Sequence, residues 1–156
     1  MKEKLNIDFI KSLSNIKGEP KWMEEFRITS YQNFLMQKDP SFGPKLDIDY
    51  DNIIYYKGHK SSDKWEEVDK GIYNTFKELG VVKAEEKYLD GVSNQYESEV
   101  IYHSLNEYLK SKKVIFCSTD DALKNYPELF KKHFNNLVKY NENKFTALNG
   151  ALWSGG

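Results

Sequence analysis

Residues Gln95–His103 read QYESEVIYH, and they set the fold expected in the middle of the chain. The run Val100–Tyr102 favours a short strand, because β-branched and aromatic side chains suit a pleated surface. Side chains alternate along a strand, so a strand from Glu97 to His103 places Glu97, Glu99 and His103 on one face. Two carboxylates and an imidazole on one face are candidate metal ligands or a candidate acid–base set.

A structural interpretation of the same stretch is that Val100 and Tyr102 face the core, while the carboxylates bind backbone or basic partners. A catalytic metal site needs three or more converging protein ligands and an open position. No HExxH or CxxC pairing accompanies the stretch to supply further ligands. We therefore favour the structural interpretation, and we predict no catalytic, cofactor-binding or metal-binding residue in the chain.

Helical patterns flank this stretch on its N-terminal side. Asn6 can cap a first helix that Gly18 ends, and Pro20 suits the first turn of a second helix. Gly80 lies where a third helix needs a left-handed terminating residue. The predicted apolar faces comprise Phe9, Ile10, Leu13 and Ile16, then Trp22, Met23, Phe26, Tyr31, Phe34 and Leu35, then Trp65, Val68, Ile72, Phe76 and Leu79.

The second half of the chain adds short elements. Val114–Cys117 is apolar throughout and is predicted to form a buried strand. Pro127 begins a further helix, and Phe145–Trp153 is predicted to be the last. The predicted fold class is α+β, mainly α, with a few short strands. The residues of the Pro127 helix that are expected to face inward are Leu129, Phe130, Phe134 and Leu137.

Composition and charge exclude several classes of protein. The chain has 156 residues, of which 15% are aromatic, whereas disordered chains are poor in aromatics. Its net charge is −1, so it lacks the basic excess that neutralises nucleic-acid phosphates. No stretch approaches the roughly 20 apolar residues that span a bilayer, and the first residues do not resemble a signal peptide. We expect a cytoplasmic protein that binds neither nucleic acid nor membrane.

Cys117 is the single cysteine, which excludes an internal disulfide and any metal site built from several cysteines. Cys117 and His103 could form a nucleophilic pair, as in a small Cys–His hydrolase. We instead expect an inert thiol, because Cys117 ends an apolar run and burial raises the pKa of a thiol. His59 and His133 lie in polar surroundings and are predicted to be solvated.

The second helix offers a candidate docking surface, with Trp22 beside Glu24, Glu25 and Arg27. The competing interpretation places Trp22 and its apolar neighbours in the core, and we favour the core. If the face is exposed, the chain could be a free-standing interaction module that binds a partner through aromatic side chains.

Several segments, in one order and at the expected spacing, resemble the N-terminal region of SufB, the scaffold of the SUF iron–sulfur cluster assembly system and a member of the SufB/SufD family. In that family the region is a mainly helical domain that precedes a parallel β-helix. The resemblance implies a helical domain at residues 1–142. It also implies that residues 143–156 start the segment leading into a β-helix core that is absent from this chain. The matching segments are Glu19–Arg27, Gln95–His103, Val114–Cys117, Asn125–Leu129 and Asn143–Gly156.

The resemblance also implies a function. Full-length SufB pairs with SufD and the ATPase SufC and builds nascent iron–sulfur clusters, but its usual cluster residues and its SufC-binding segment lie in later parts of the protein. We therefore carry over no ligand and predict a structural or interaction role without catalysis. The iron–sulfur cluster, SufC and SufD are implied for the full-length scaffold. The apolar ending predicts a truncated chain whose last 12 residues, 145–156, are mobile or pack against a neighbouring molecule.

Overall fold

The computed structural model describes residues 4–154, apart from the side chains of residues 86 and 87. The predicted fold class, α+β and mainly α with short strands, is confirmed, whereas the β-helix core stays a prediction. The regular elements of the described residues are α1 (Ile7–Lys17), α2 (Lys21–Met36), a 3₁₀ turn (Trp65–Glu67), α3 (Lys70–Glu78), α4 (Val81–Tyr88), β1 (Gly91–Tyr96), β2 (Glu99–Leu105), α5 (Glu107–Ser111), α6 (Thr119–Asn125), α7 (Pro127–His133) and α8 (Lys144–Leu152).

The chain folds as two compact units. The first unit runs to Tyr56 and resumes with Leu123–Trp153, so it holds α1, α2, α7 and α8. The second unit, Lys57–Ala122, holds α3, α4, α5 and both strands. Each unit has its own cluster of buried apolar side chains.

Local signals explain both ends of α1 in the first unit. The Asn6 side chain accepts a hydrogen bond from the Phe9 amide at 2.8 Å, and Gly18 follows the helix with a φ of 65°, both as predicted. The predicted inward position of Ile16 is wrong, because Ile16 lies outside the buried face and is 73% exposed. The buried face of α1 consists of Ile10, Leu13, Ser14 and Lys17.

Helix α8 packs closely against α2 and confirms the predicted final helix. Asn143 caps it through a reciprocal pair of hydrogen bonds with Thr146. Ala147 is fully buried, and a Cβ atom added at Gly150 would lie 2.7 Å from the Ser30 hydroxyl. The predicted terminal segment thus packs within the first unit as far as Trp153, while residues 155 and 156 lie outside the described residues.

In the second unit, an antiparallel strand pair packs with the 3₁₀ turn and with α3 and α4. Gly91 of β1 lies opposite Leu105 of β2. The Trp65 ring stacks on the Tyr102 ring with a centroid distance of 4.3 Å, which anchors the turn on β2. The core of this unit comprises Trp65, Val68, Ile72, Val82, Val92, Ile101 and Tyr102.

Val114–Cys117 is irregular, so the predicted buried strand is wrong. Val114, Ile115 and Phe116 are 44%, 48% and 41% exposed, and Cys117 is half-buried. Apolar composition produces a strand only where a neighbouring strand supplies the pairing. Within the described residues, β1 and β2 pair with each other and with no strand at 114–117.

Four leucines that were predicted to face inward are exposed instead. Helix α3 ends at Glu78 and α7 ends at His133, so Leu79 and Leu137 lie beyond the helices that were expected to bury them. The exposed fractions are 62% for Leu35, 71% for Leu79, 49% for Leu129 and 94% for Leu137.

Candidate functional site

The hairpin turn separates the polar residues of the QYESEVIYH stretch. Strand β2 begins at Glu99, whereas Glu97 lies in the turn with a φ of 52°. Glu97 therefore does not share a strand face with Glu99 and His103, and that prediction is wrong. Short hairpin turns commonly require a residue in the left-handed region, so the turn overrides the alternation that the sequence suggested.

Glu97 binds two basic side chains beside the turn. Its carboxylate accepts a hydrogen bond from Lys57 Nζ at 2.6 Å and lies 2.8 Å from His59 Nε2. These hydrogen bonds, from Lys57 first and His59 second, hold the pKa of Glu97 below its ordinary value. The Ser98 hydroxyl also accepts from the Lys57 amide at 3.0 Å. The His59 side chain is 26% exposed, so it remains in contact with solvent while it also helps to hold the turn.

The buried part of the stretch is Glu99–Tyr102, at the start of β2. Val100 and Tyr102 are 2% and 9% exposed, as the structural interpretation predicted. Glu99 is also buried, with 7% of its surface exposed. The apolar residues of the stretch thus pack in the core, and Glu97 stabilises the hairpin turn by binding Lys57 and His59.

Cys117 and His103 do not form a nucleophilic pair. His103 Nδ1 lies 3.5 Å from the Ser61 hydroxyl, and no hydrogen bond joins His103 to Cys117 in the described part of the chain. Burial, and secondarily the negative charge of Asp121, raise the pKa of the Cys117 thiol. A raised pKa disfavours the thiolate, which is the nucleophilic form, so the arrangement does not support Cys–His chemistry.

An aromatic cleft of about 280 Å³ opens on the first unit. The Lys144 ammonium lies 5.2 Å from the centre of the Phe34 ring and 4.8 Å from that of Tyr50. The same ammonium is 2.9 Å from an Asp39 carboxylate oxygen. Lys144 of the same chain therefore already occupies the ring faces that could bind an external cation.

Metal and membrane sites have no support in the described residues. Across the side chains that the structure describes, no group of three or more His, Cys, Asp or Glu residues is arranged to hold a metal ion. None of the described helices combines the length and the apolar character that crossing a bilayer requires.

Trp22 and Phe26 belong to an aromatic cluster in the first unit. The Phe26 ring meets Phe134 and Tyr140 edge-on, with centroid distances of 5.0 Å and 5.3 Å. The Trp22 ring lies 6.3 Å from Phe134, and the Lys131 ammonium lies 5.4 Å from its centre. Met23 on this face is fully buried, as the core interpretation predicted, whereas Trp22 and Phe26 are only half-buried, so the interpretation is correct for Met23 and not for the two rings.

The docking-surface alternative is wrong for Arg27, because its side chain is fully buried. Arg27 Nε and Nη2 donate hydrogen bonds to the two carboxylate oxygens of Glu19, at 2.7 Å and 2.6 Å. Nη1 donates to the Ala151 carbonyl and Nη2 to the Trp153 carbonyl, both at 2.9 Å. Arg27 thus satisfies carbonyl groups at the end of α8 that the helix itself leaves without donors.

The spacing of α2 contains a signal for the burial of Arg27. Met23 and Tyr31 lie four residues before and after it, and both are buried. Side chains four residues apart share a helix face. A charged side chain on a buried face needs a partner of opposite charge, so the spacing could have predicted a buried ion pair.

The chain is similar in sequence to curated staphylococcal proteins. It is 44% identical over 155 residues to the iron-sulfur cluster assembly SufBD family protein of Staphylococcus aureus (strain USA300), and equally to the one from Staphylococcus saprophyticus. Each alignment covers 97% of this chain and 33% of the relative. The chain therefore spans about a third of the length of the curated relatives it matches. No protein-family model matches the chain.

Proposed function

We propose that this chain is the N-terminal domain of a SufB-type scaffold for iron–sulfur cluster assembly, with a structural or interaction role and no catalysis of its own. The observation that carries the proposal is the 44% identity, over 97% of the chain, to proteins named for SufBD-type iron–sulfur cluster assembly. In this proposal residues 1–142 form the domain, and residues 143–156 begin the segment that leads into a β-helix core. The full-length protein is cytoplasmic, and its partners are SufC and SufD.

The polar groups of the two units support a structural role. In the first unit, Arg27 and Glu19 form an ion pair. In the second unit, Lys57 and His59 bind the Glu97 carboxylate. These side chains stabilise the fold, and their hydrogen-bonding groups face other parts of the same unit. These side chains take no part in binding iron or sulfide.

The single thiol supports placing cluster assembly outside this chain. A typical iron–sulfur cluster is held by about four cysteine thiolates. Cys117 is the one cysteine of the chain, and its pKa is raised by burial and by Asp121. The proposed role of the domain is to support the remainder of the scaffold, with Arg27 fixing the end of α8.

Anaerobic reconstitution with iron and sulfide tests this proposal. Three proteins are compared: this chain, the full-length Staphylococcus aureus relative, and a chimera in which this chain replaces the matched region of that relative. After desalting, we expect bound iron, bound sulfide and visible absorption on the relative and on the chimera, and none on the chain alone.

Two outcomes contradict the proposal. The first is a stoichiometric chromophore on the isolated chain that disappears in Cys117→Ser. The second is a folded chimera that acquires no cluster under conditions in which the relative does. Circular dichroism of the chimera provides the control for folding.

A further inference from the structure

Asn149 and Gly150 form the single Asn-Gly pair of the sequence, and they lie within α8. The side-chain amide of an asparagine can be attacked by the backbone nitrogen of the residue that follows it. Glycine in that position has no side chain to hinder the attack, and it leaves the backbone free to reach the required conformation. Every other asparagine of the chain is followed by a residue that carries a side chain. Asn149 is therefore the most labile asparagine in the sequence.

Close packing requires glycine at position 150. Gly150 is buried, and a Cβ atom added there would lie 2.7 Å from the Ser30 hydroxyl and 3.0 Å from the Tyr140 Cβ. The Ser30 hydroxyl is itself held in place, because it donates to the Phe26 carbonyl at 2.8 Å. A larger residue at position 150 would thus push α8 away from α2. The contact between these two helices therefore retains the Asn-Gly pair, although any other residue after Asn149 would slow the attack.

The helix, and not burial, protects Asn149, because this residue lies on the exposed side of α8. Only the first four amides of a helix lack an acceptor within it, and Gly150 lies beyond them in α8. A hydrogen-bonded amide gives up its proton less readily than a free one. The helical ψ of about −42° also keeps the Gly150 nitrogen away from Asn149 Cγ. Attack on Asn149 therefore requires this part of α8 to open.

We propose that Asn149 is a deamidation site whose reaction is controlled by the packing of α8 on α2. When α8 opens, the deprotonated Gly150 nitrogen attacks Asn149 Cγ and forms a new bond to it. The bond from Cγ to the side-chain nitrogen breaks, and ammonia leaves. Water then opens the resulting succinimide ring at either of its two carbonyl groups, which produces aspartate or isoaspartate at position 149.

The modified position lies just before the carbonyl groups that Arg27 binds. Arg27 Nη1 and Nη2 donate to the carbonyls of Ala151 and Trp153, both at 2.9 Å. Isoaspartate adds a methylene group to the main chain, so it displaces these carbonyls from the buried guanidinium. Aspartate leaves the main chain unchanged but adds a negative charge near the C-terminal end of a helix, where the helix dipole disfavours it. Because ammonia is lost, the modified chain does not revert to the original packing.

Quantitative mass spectrometry tests the proposal on the whole chain. Native and urea-unfolded protein are incubated at the same mildly alkaline pH and then digested in acid, and the mass gain of the peptide that contains Asn149 is followed over time. Minor open states are typically populated at about 0.1–10%, so we expect deamidation to be at least roughly tenfold faster in urea than in the native chain. Asn33, which Phe34 follows, is the internal control and should react far more slowly than Asn149 in urea.

Three variants connect the reaction to the packing of α8. Arg27→Met removes the hydrogen bonds that hold the end of α8, so it should speed deamidation of Asn149 severalfold without urea. Lys11→Met, on the exposed side of α1, is the matched control and should react like the parent chain. Asn149→Gln should abolish the mass gain, because glutamine would have to close a larger and less favourable ring. After incubation in urea and refolding, Asn149→Gln should recover its urea midpoint, whereas the modified fraction of the parent chain should unfold at lower urea.

Four results overturn the proposal. One is deamidation of Asn149 at the same rate in the native and the unfolded chain, which would mean that α8 gives no protection. Another is an unfolded chain in which Asn149 reacts no faster than Asn33. A third is an Arg27→Met chain that is less stable than the parent chain but deamidates no faster. The last is a modified chain that refolds to the parental urea midpoint, which would mean that α8 packs on α2 regardless of the modification.

Discussion

Glu19 and Arg27 form an ion pair whose side chains are 1% and 0% exposed. Two parallel hydrogen bonds of 2.7 Å and 2.6 Å join them, and Arg27 also binds the carbonyls of Ala151 and Trp153. The Arg27 guanidinium lies 4.8 Å from the centre of the Trp153 ring. One arginine therefore connects the start and the end of the first unit, across more than 120 residues of sequence.

Removing the Arg27 guanidinium should strongly destabilise the first unit. Arg27→Met keeps an unbranched apolar stem but removes the guanidinium, which leaves the Glu19 carboxylate buried and unpaired. We expect a loss of about 3–5 kcal/mol in the free energy of unfolding, measured by urea denaturation. Lys11→Met, on the exposed side of α1, serves as the control and should change stability by less than about 0.5 kcal/mol.

The double variant separates the ion pair from the other contacts of Arg27. Glu19→Gln combined with Arg27→Met removes the buried charge and should recover part of the lost stability. An Arg27→Met protein as stable as the parent chain would mean that the pair is not buried in solution.

Gly150 provides a second test of the packing between α8 and α2. Helix propensity alone predicts that Gly150→Ala stabilises the chain by about 1 kcal/mol. The structure predicts the opposite, because the new Cβ would lie 2.7 Å from Ser30 Oγ and 3.0 Å from Tyr140 Cβ. We expect destabilisation of about 1–3 kcal/mol, as in other overpacked interfaces.

Asn149→Ala is the matched control for Gly150→Ala, because Asn149 is exposed on the same helix. It should leave the urea midpoint unchanged or raise it. If Gly150→Ala also raises the midpoint, α8 does not approach α2 as closely as the structure shows.

The Cys117 thiol should titrate above its ordinary range. Burial raises its pKa first, and the Asp121 carboxylate raises it further. The rate of labelling by a thiol reagent, measured across pH on native protein, should therefore rise at a higher pH than in urea-unfolded protein. Asp121→Asn should lower the pH at which the labelling rate is half-maximal. That pH should still lie above the value for the unfolded chain. A native thiol that reacts fully at neutral pH would contradict this account.

Glu97 should titrate below its ordinary range, because Lys57 and His59 stabilise its ionised form. The contacts of Glu97 stabilise the folded chain fully at pH values above the pKa of glutamate in the unfolded chain, about 4.3. This contribution is lost as the pH falls through the lower pKa of Glu97 in the folded chain. Titration followed by the NMR signal of the Glu97 carboxyl carbon measures this value directly.

Lys57→Ala tests the cause of the shift. It should raise the pKa of Glu97 toward the ordinary value, because the first of its two stabilising partners is removed. Lys38→Ala is the control and should leave the titration unchanged. An identical Glu97 pKa in Lys57→Ala would exclude the contact at the hairpin turn.

Features with local causes were predictable from the sequence. Asn6, Gly18 and Gly80 occupy the cap positions that their residue types predict, because a cap depends on the adjacent backbone alone. The run Val114–Cys117 was misassigned because a strand needs a partner that sequence pattern does not reveal. The partnership of Arg27 with Glu19 and α8 was missed because it joins segments far apart in sequence, although helical spacing already placed Arg27 on a buried face.

The most direct test of the central claim is genetic exchange. In Staphylococcus aureus, the SufBD family relative is replaced by the chimera that carries this chain in the matched region, and the activity of an iron–sulfur enzyme is measured in cell extracts. The account predicts activity close to that of the parent strain, and much lower activity when the chimera carries Arg27→Met. A chimera that accumulates to the parental level, yet leaves the enzyme without its cluster, would contradict the claim that this chain is a SufB-type scaffold domain.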